Sequence, residues 1–262
     1  MKGIRSLLFV PAEERRLNKI GQTGADGHII DLEDSMRDDD KDAALERTVH
    51  FLSGCKVKNI FVRVNRHRYE IEIKTLQNYN VGFMLPKIES GLDYTHVPDL
   101  VKGRRVIALI ETPRALINAD SIASVPWVSA LAFGAEDFSV AMNMRNSVNA
   151  LSIPKTLLAL AAKANRKRVY DTPCFHLQDE KTFDAELEQA VDLGFDGKLA
   201  IHPKQVEGIN RAFMLSDPQY IKYVIGIYEA SGSAVCEIDG RVYEKLHIDR
   251  MRRMLTETER PS

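Results

Sequence analysis

Two carboxylates follow two apolar segments near the middle of the chain. Glu111 ends the apolar run that begins at Val106, and Asp137 follows the run Ala130–Phe133. Apolar runs that end in acids are typical of parallel strands whose carboxyl ends surround the ligand site of an α/β enzyme. Mg²⁺ usually takes one or two protein carboxylates and leaves its other positions to water and substrate oxygens. The pair therefore predicts a Mg²⁺ site formed by Glu111 and Asp137.

Polar residues also follow the other predicted strands. Glu33 and Asp34 follow the second strand, and Arg63 lies near the end of the third. A guanidinium at this place can bind a substrate carboxylate through two parallel hydrogen bonds. A salt bridge from Arg63 to the acids after the second strand would explain the same residues. The backbone N–H groups of Gly134 and Ala135 are further candidates for contact with a substrate carboxylate.

Eight apolar segments alternate with helical patterns along the chain. Most are continuously apolar, as expected for parallel strands that are buried on both faces. The intervals between them are long enough for a crossover helix each time. The pattern predicts a single α/β domain, a (β/α)₈ TIM barrel over residues 1–215, with a doubly wound open sheet as the alternative. The predicted strands are Ser6–Val10, His28–Leu32, Ile60–Val64, Gly82–Pro86, Val106–Glu111, Ala130–Phe133, Arg168–Tyr170 and Leu199–His202.

Helices are predicted between and after these strands. Residues Lys155–Lys167 are rich in helix formers, and Asp179–Leu193 carries an apolar stripe at helical spacing, followed by Gly194 as a C-cap. Residues 216–262 exceed what a closing helix needs and are predicted to form a C-terminal helical extension. Its two helices, Asp217–Ser231 and His247–Leu255, are joined by a turn at residues 239–240.

Composition excludes several classes of protein. The net charge is −1, so no basic excess supports a nucleic-acid partner. The three cysteines are scattered and show no zinc-site spacing. No apolar run approaches the ~18 residues of a membrane span, and the N-terminal run is too short for a signal peptide. We therefore expect no membrane association and a cytoplasmic location.

The familiar phosphate-binding and hydrolase motifs are absent from the sequence. It contains neither Gly-x-Gly-x-x-Gly nor Gly-x-Ser-x-Gly, and its seven histidines show no metal-site spacing. Lys87 and Lys198 are candidates for the Schiff-base lysine of a metal-free aldolase. Contact with a substrate phosphate or ordinary surface charge is the favoured interpretation of both.

Seven short segments occur in an order that resembles the citrate lyase beta-subunit-like family, which includes malyl-CoA and citramalyl-CoA lyases. The resemblance extends over roughly the first 215 residues. The segments are Arg5–Pro11, Asp31–Ser35, Arg63–Asn65, Leu85–Lys87, Ile110–Pro113, Phe133–Asp137 and Gly197–Pro203.

The resemblance implies a fold, a reaction and a set of roles. Members of this family are (β/α)₈ barrels that use Mg²⁺ to cleave or form a C–C bond between an acyl thioester and a 2-keto acid. By resemblance, Glu111 and Asp137 are the metal ligands, and Arg63 binds the keto-acid carboxylate. Glu33 and Asp34 accept hydrogen bonds from metal-bound water. The implied partners are a 2-keto acid, a CoA or acyl-carrier thioester, and further copies of the chain in a trimer or hexamer.

The C-terminal region departs from the family pattern. Thioester lyases of this family carry a proton-donating acid in a stretch of the form Asp-Gly-x-x-x-Asp-x-Pro, supplied by a neighbouring subunit. Here Glu244 replaces the aspartate and Leu246 replaces the proline. The resemblance therefore assigns the proton transfer to Glu244. It also implies that Gly197–Pro203 and the Arg5 region lie near the CoA or acyl-carrier arm.

Three functions are compatible with these residues. The leading hypothesis is a Mg²⁺-dependent lyase that cleaves a citryl-, citramalyl- or malyl-type thioester to a 2-keto acid and an acetyl thioester. A Mg²⁺-dependent 2-keto-acid aldolase without a thioester partner is the second. A non-catalytic keto-acid-binding subunit is the third, and the changed residue at Glu244 favours it slightly.

Overall fold

The computed structural model describes residues 3–91, 93, 97–213 and 218–258. The chain divides into two compact units, Gly3–Phe213 and Met214–Ser262. The division lies two residues before the boundary that the sequence predicts after residue 215.

Eight parallel strands form a closed barrel in the first unit, and each strand pairs with its sequence neighbours. The barrel closes where Leu7 of the first strand pairs with Leu199 of the last. The predicted (β/α)₈ barrel is confirmed, and the doubly wound alternative is wrong because an open sheet would leave two strand edges unpaired. The strands are β1 Ser6–Pro11, β2 Gly27–Asp31, β3 Ile60–Arg63, β4 Gly82–Leu85, β5 Val106–Ile110, β6 Ala130–Phe133, β7 Arg168–Asp171 and β8 Gly197–Ala200.

Side chains alternate between the inside of the barrel and the helices around it. On β1, Leu7 and Phe9 pack into the small apolar cluster inside the barrel. Leu8 and Val10 belong to the large cluster between the strands and the helices. This alternation follows from the two-residue repeat of a strand. The barrel interior is therefore a packed core, and polar residues gather beyond the carboxyl ends of the strands.

Ten α-helices surround the strands in the described part of this unit, and a short 3₁₀ turn, Asp38–Asp40, precedes the second helix. Asp38 is almost fully exposed, so these acids begin a helix at the surface. The helices are α1 Glu14–Leu17, α2 Lys41–Gly54, α3 Tyr69–Leu76, α4 Val97–Leu100, α5 Pro113–Ile117, α6 Ala119–Ser124, α7 Ala135–Met142, α8 Val148–Ala164, α9 Glu180–Asp192 and α10 Lys204–Ala212.

Helix ends follow the capping chemistry of the sequence. α8 begins seven residues before its predicted start because Ser147 accepts a hydrogen bond from Ala150 N, and the helix continues through Pro154. α9 lies within one residue of its predicted bounds. Asp179 caps it by accepting from Thr182 N, and Gly194 follows it with a φ of +79°. A positive φ suits glycine, since it has no Cβ to clash with the backbone.

Two helices and a hairpin form the described part of the second unit. They are α11 Pro218–Ser231, β9 Val235–Ile238, β10 Arg241–Glu244 and α12 Lys245–Thr258. Positive φ angles of 49° at Asp239 and 76° at Gly240 make the turn that the sequence predicts, and a turn with two such residues suits a two-residue hairpin. The hairpin itself was not predicted. A small core of Val224, Ile238, Tyr243 and Ile248 holds the unit together.

Within the described residues, no helix has both the length and the hydropathy that a membrane span requires.

Candidate metal and carboxylate site

Arg63 lies at the carboxyl end of β3 and contacts three carboxylates from the end of β2. Its Nε and Nη2 donate to the two oxygens of Asp31, each at 2.7 Å. Its Nη1 donates to Asp34 Oδ2 at 2.8 Å and lies 3.1 Å from Glu33 Oε2. The salt bridge to the acids after the second strand, one of the two interpretations of Arg63, is therefore present.

The Arg63–Asp31 pair is buried and fixed. Arg63 is 8% exposed, and its guanidinium carbon lies 5.0 Å from the centre of the Phe9 ring. Burial favours the neutral forms of both residues, but their mutual attraction outweighs it. The pKa of Arg63 is raised, and the pKa of Asp31 is held below its usual range. Asp31 therefore holds the Nε edge of the guanidinium, and the Nη1 edge faces Asp34, whose side chain is 56% exposed.

Glu33 bridges two cations at the carboxyl end of the barrel. Its Oε2 lies 3.1 Å from Arg63 Nη1, and its Oε1 lies 3.3 Å from Lys87 Nζ. Burial is the largest influence and raises the pKa of Glu33 in spite of both cations. Glu33 Oε2 is buried and forms no hydrogen bond of good geometry. A buried acceptor in this state suits a bound water molecule or a ligand donor.

Glu111 follows β5 and is buried among backbone groups. Its Oε1 accepts a hydrogen bond from Lys87 N at 2.6 Å. Gly134, directly after β6, lies against the same side chain. A Cβ at Gly134 would lie 2.6 Å from Glu111 Cβ and 3.0 Å from its Oε2. Only glycine therefore allows the end of β6 to approach this carboxylate so closely.

The acids around Glu111 oppose its ionisation. Burial and then the charge of Glu33 raise the pKa of Glu111 to about 8, and the charge of Asp137 adds to this. The hydrogen bond from Lys87 N acts in the opposite direction. Asp137 itself is exposed in the first turn of α7. A positive charge placed between these carboxylates would remove the repulsion.

These residues fit a hard divalent cation that keeps water and substrate among its ligands. No group of three or more His, Cys, Asp or Glu side chains that could hold a metal occurs within the described ranges. Glu111 and Asp137 supply two carboxylates, which is the number that Mg²⁺ commonly takes from a protein. Burial and the neighbouring acids together raise the pKa of Glu111, and a bound cation would oppose both effects.

The N–H groups of Gly134 and Ala135 donate within the protein. Gly134 N donates to Ile110 O at 2.9 Å, which continues the pairing of β5 with β6. Ala135 N donates to Thr172 Oγ1 at 3.2 Å. This bond ties the first residue of α7 to the end of β7 and so orients the helix that carries Asp137. Contact of these two N–H groups with a substrate carboxylate stays a prediction, and their hydrogen bonds do not support it.

Lys198 is unsuited to Schiff-base chemistry. It is fully buried, and its Nζ lies 2.6 Å from Asp171 Oδ2 and 3.0 Å from Glu186 Oε2. Burial lowers its pKa, but the two carboxylates outweigh burial and raise it. The pKa of Lys87 is raised in the same way, by Glu33 foremost. A Schiff-base lysine must lose its proton to react, so neither lysine is prepared for that role.

Asp171 does not join the polar residues at the strand ends. It is the last residue of β7, the place where the other strands carry or precede the polar residues of the site. The structure directs it toward the helices, where Lys155 of α8 lies 3.0 Å away and Glu186 of α9 completes the network through Lys198. The alternation of a strand explains this, because Tyr170 faces the barrel interior and its neighbour must face outward.

Two further predicted positions lie elsewhere. Arg5 precedes β1 at the amino-terminal end of the barrel and binds Asp26 through Nε at 2.8 Å. That the Arg5 region lies near the thioester arm stays a prediction. Glu244 ends β10 in the second unit and is exposed, with Glu244 N donating to His247 Nδ1. Its part in proton transfer stays a prediction.

One buried acid near the site was not predicted from the sequence. Glu72 of α3 is 1% exposed and accepts hydrogen bonds from Asn65 N at 2.7 Å and Asn65 Nδ2 at 2.6 Å. Asn65 Nδ2 also donates to Leu32 O, which joins the ends of β2 and β3. Leu76, four residues later and therefore on the same face of the helix, is the signal that could have identified Glu72 as buried.

The family profile described as HpcH/HpaI aldolase/citrate lyase matches residues 5–203. The chain belongs to this family. A (3S)-malyl-CoA thioesterase from Cereibacter sphaeroides is 31% identical over 269 aligned residues, covering 97% of this chain and 94% of that protein. The family predicted from the seven segments is thereby confirmed.

Solved structures agree on the fold of this family. The Mycobacterium tuberculosis citrate lyase beta subunit, complexed with oxaloacetate and magnesium, has a TM-score of 0.71 and 26% identity, covering 80% of this chain and 97% of that one. CitE from the same organism, solved with magnesium, acetoacetate and coenzyme A, has a TM-score of 0.84 over 99% of this chain and 100% of that one. At 24% identity the second comparison concerns the fold alone. Magnesium is thus the metal bound in structures of the family.

Proposed function

We propose that the chain is a Mg²⁺-dependent carbon–carbon lyase that cleaves, or forms, a 3-hydroxy-acyl thioester. The products of cleavage are a 2-keto acid and an acetyl thioester. The observation that carries the proposal is the grouping of Glu33, Glu111 and Asp137 after the carboxyl ends of their strands, close enough that their charges raise the pKa of Glu111, beside the buried Arg63. Citryl-, citramalyl- and malyl-CoA are the candidate substrates.

Each residue of the site has a role in this reaction. Glu111 and Asp137 hold Mg²⁺, which when bound stabilises negative charge on substrate oxygens. Arg63 binds the substrate carboxylate through its Nη1 edge, since Asp31 occupies the Nε edge. Asp34 is the exposed acid of the group, so it moves aside most easily. Glu33 offers its unbonded oxygen to a bound water molecule.

Cleavage also requires two proton transfers. The hydroxyl proton of the substrate leaves to a base as the C–C bond breaks, and the enolate carbon of the thioester then takes a proton. Glu244 of a neighbouring copy of the chain is proposed as the donor of this second proton, because it stands where the family carries an acid. A glutamate keeps the carboxyl group and extends it by one methylene.

Hydrolysis of a malyl thioester is a second candidate function. The similarity to a (3S)-malyl-CoA thioesterase over 97% of the chain favours it. Hydrolysis needs a base for the attacking water, and Glu33 has a raised pKa and an unbonded oxygen. The two reactions give different products from malyl-CoA. The lyase releases glyoxylate and acetyl-CoA, and the hydrolase releases malate and CoA.

Product analysis tests the proposal. Malyl-, citramalyl- and citryl-CoA are each incubated with the protein in Mg²⁺ or in EDTA, and the acids and CoA species are separated by chromatography. A keto acid with acetyl-CoA, formed only with Mg²⁺ and lost in Glu111→Ala, supports the lyase. Free CoA with the intact hydroxy acid supports the hydrolase. The Gly54→Ala variant is the control, because a Cβ there meets no atom within 4 Å.

Absence of every product would contradict both reactions. Binding of pyruvate, glyoxylate or oxaloacetate with Mg²⁺ would then separate the remaining functions. A keto-acid aldolase would consume that acid together with an aldehyde. A non-catalytic subunit would bind it without any product.

A further inference from the structure

Lys87 has an unfavourable backbone conformation and lies just after the carboxyl end of β4. Its φ is +53°, in the left-handed region that costs an L-residue roughly 1–2 kcal/mol. The other described non-glycine residues with positive φ are three Asn or Asp side chains and Arg166. Asn and Asp tolerate this region. Arg166 follows the end of α8, and a residue with left-handed backbone angles is common just after a helix. Lys87 follows a strand and has neither explanation.

The backbone of Lys87 is fixed by the site. Its N–H donates to Glu111 Oε1 at 2.6 Å, and its C=O accepts from Arg66 Nη1 at 2.5 Å. Glycine would adopt this backbone without strain and would keep both bonds. The backbone contacts therefore do not explain why this residue is a lysine. The lysine side chain must have a separate role.

The ammonium group of Lys87 is accessible, unlike the guanidinium of Arg63. The Lys87 side chain is 40% exposed, and its Nζ forms an ion pair with Glu33 Oε1 at 3.3 Å. The pair therefore joins an accessible ammonium group to a carboxylate that is buried. Arg63, in contrast, is 8% exposed and contacts three carboxylates. Lys87 thus presents its ammonium N–H donors beside Glu33, while its backbone N–H binds Glu111.

We propose that Lys87 is a catalytic residue whose ammonium group donates a hydrogen bond to the thioester oxygen of the substrate. This inference rests on the proposed lyase function. As the C–C bond breaks, its electron pair forms the enolate of the acetyl thioester, and negative charge develops on that oxygen. The hydroxyl proton leaves to a base, the keto acid gains its C=O bond, and the enolate carbon later takes a proton. Lys87 keeps its own proton throughout, since it stabilises charge and transfers nothing.

Substitution with glycine separates the side chain from the backbone. Lys87→Gly keeps the N–H that holds Glu111 and removes the strain, so the protein should fold with a Tm within a few degrees of wild type. Mg²⁺-dependent keto-acid binding should stay within threefold, whereas kcat for thioester cleavage should fall by about 10²–10³, the usual loss for one oxyanion donor. Lys87→Arg should recover at least tenfold of that loss. Lys74→Met is the matched control, because it removes a lysine of α3 whose side chain is 59% exposed. It should change neither the keto-acid binding nor the kcat.

Deuterium exchange gives a second readout that a purely structural role would not affect. Transfer of deuterium from D₂O into the methyl group of acetyl-CoA passes through the same enolate and should slow by the same factor in Lys87→Gly. A kcat and an exchange rate within tenfold of wild type would overturn the inference, as would loss of Mg²⁺-dependent keto-acid binding. Absence of cleavage by the wild type would overturn both this inference and the proposed function.

Discussion

At the scale of single residues, Asp31 determines how Arg63 meets a ligand. The carboxylate binds two nitrogens of the guanidinium at 2.7 Å each, and both side chains are buried. Removing one partner of a buried pair leaves the other charge without compensation, which costs far more than an exposed pair contributes. Glu33 and Asp34 lie on the other edge and replace only part of what Asp31 provides.

We therefore expect Asp31→Asn to destabilise the fold by about 3 kcal/mol, because Arg63 loses its bidentate partner. The measurement is the free energy of unfolding in urea, by circular dichroism. Asp39→Asn is the control, since Asp39 is 74% exposed and pairs only with an exposed arginine at 3.4 Å. Equal stability of the two variants would show that Asp31 does not hold Arg63.

The raised pKa of Glu111 gives the Mg²⁺ affinity a predictable pH dependence. A metal binds the carboxylate, so below the pKa of about 8 it must displace a proton. The Kd for Mg²⁺ should therefore rise as the pH falls below 8, approaching tenfold per pH unit. Isothermal titration calorimetry from pH 6.5 to 9 measures it. A Kd independent of pH over this range would show that Glu111 does not ligate the metal.

At the scale of elements, the site depends on how closely the ends of β5 and β6 approach each other. The backbone at Gly134 lies against Glu111, and Ala135 N binds Thr172 Oγ1 at the end of β7. These contacts join the ends of β5, β6 and β7 to the start of α7. A change in the spacing of β5 and β6 must move one metal ligand relative to the other.

Gly134→Ala tests this spacing. The added Cβ would lie 2.6 Å from Glu111 Cβ, so Glu111 must shift. We expect a loss of stability of about 1–3 kcal/mol, as for other overpacked sites, and at least tenfold weaker Mg²⁺ binding. Thermal unfolding and calorimetry measure the two effects. Gly54→Ala adds a Cβ in open space at the end of α2 and should change neither.

The sequence predicted the elements of the barrel better than the directions of individual side chains. Continuous apolar runs located all eight strands, and β8 differed most, by two residues at each end. The β9–β10 hairpin was missed because its strands are short and mostly exposed, without a continuous apolar run. Sequence could not choose among Asp31, Glu33 and Asp34 as partners of Arg63, since the turn after β2 sets those directions. The outward orientation of Asp171 likewise required the register of the barrel.

At the scale of the whole molecule, several buried acids and one histidine together set the dependence of stability on pH. Asp31 and Asp171 have lowered pKa values, so the stability they provide is present above pH 4 and is lost as the pH falls further. Burial lowers the pKa of His28 to about 4. The folded state therefore resists the protonation of His28, and stability decreases as the pH falls below about 6.5.

Glu111 acts in the opposite direction, because its pKa in the folded protein is raised to about 8. Its contribution to the stability of the fold is complete below 4.5, the pKa of this carboxyl in the unfolded chain. The contribution is lost as the pH rises from there toward 8. Below pH 6.5 the effect of His28 offsets that of Glu111, so the net change falls between pH 6.5 and 8. We expect the free energy of unfolding of the metal-free protein to decrease by about 2 kcal/mol over this interval, since one proton changes it by about 1.4 kcal/mol per pH unit.

Saturating Mg²⁺ should abolish this loss, because the bound metal keeps Glu111 ionised. At a Mg²⁺ concentration of a hundred times the Kd, binding should also raise the free energy of unfolding by about 2.7 kcal/mol. Urea unfolding at pH 6.5 and 8, with EDTA and with Mg²⁺, measures both effects. Glu111→Gln removes the titrating group, so its stability with EDTA should be the same at the two pH values. A metal-free wild type that is equally stable at pH 6.5 and 8 would contradict the assignment of Glu111 as the acid whose repulsion the metal relieves.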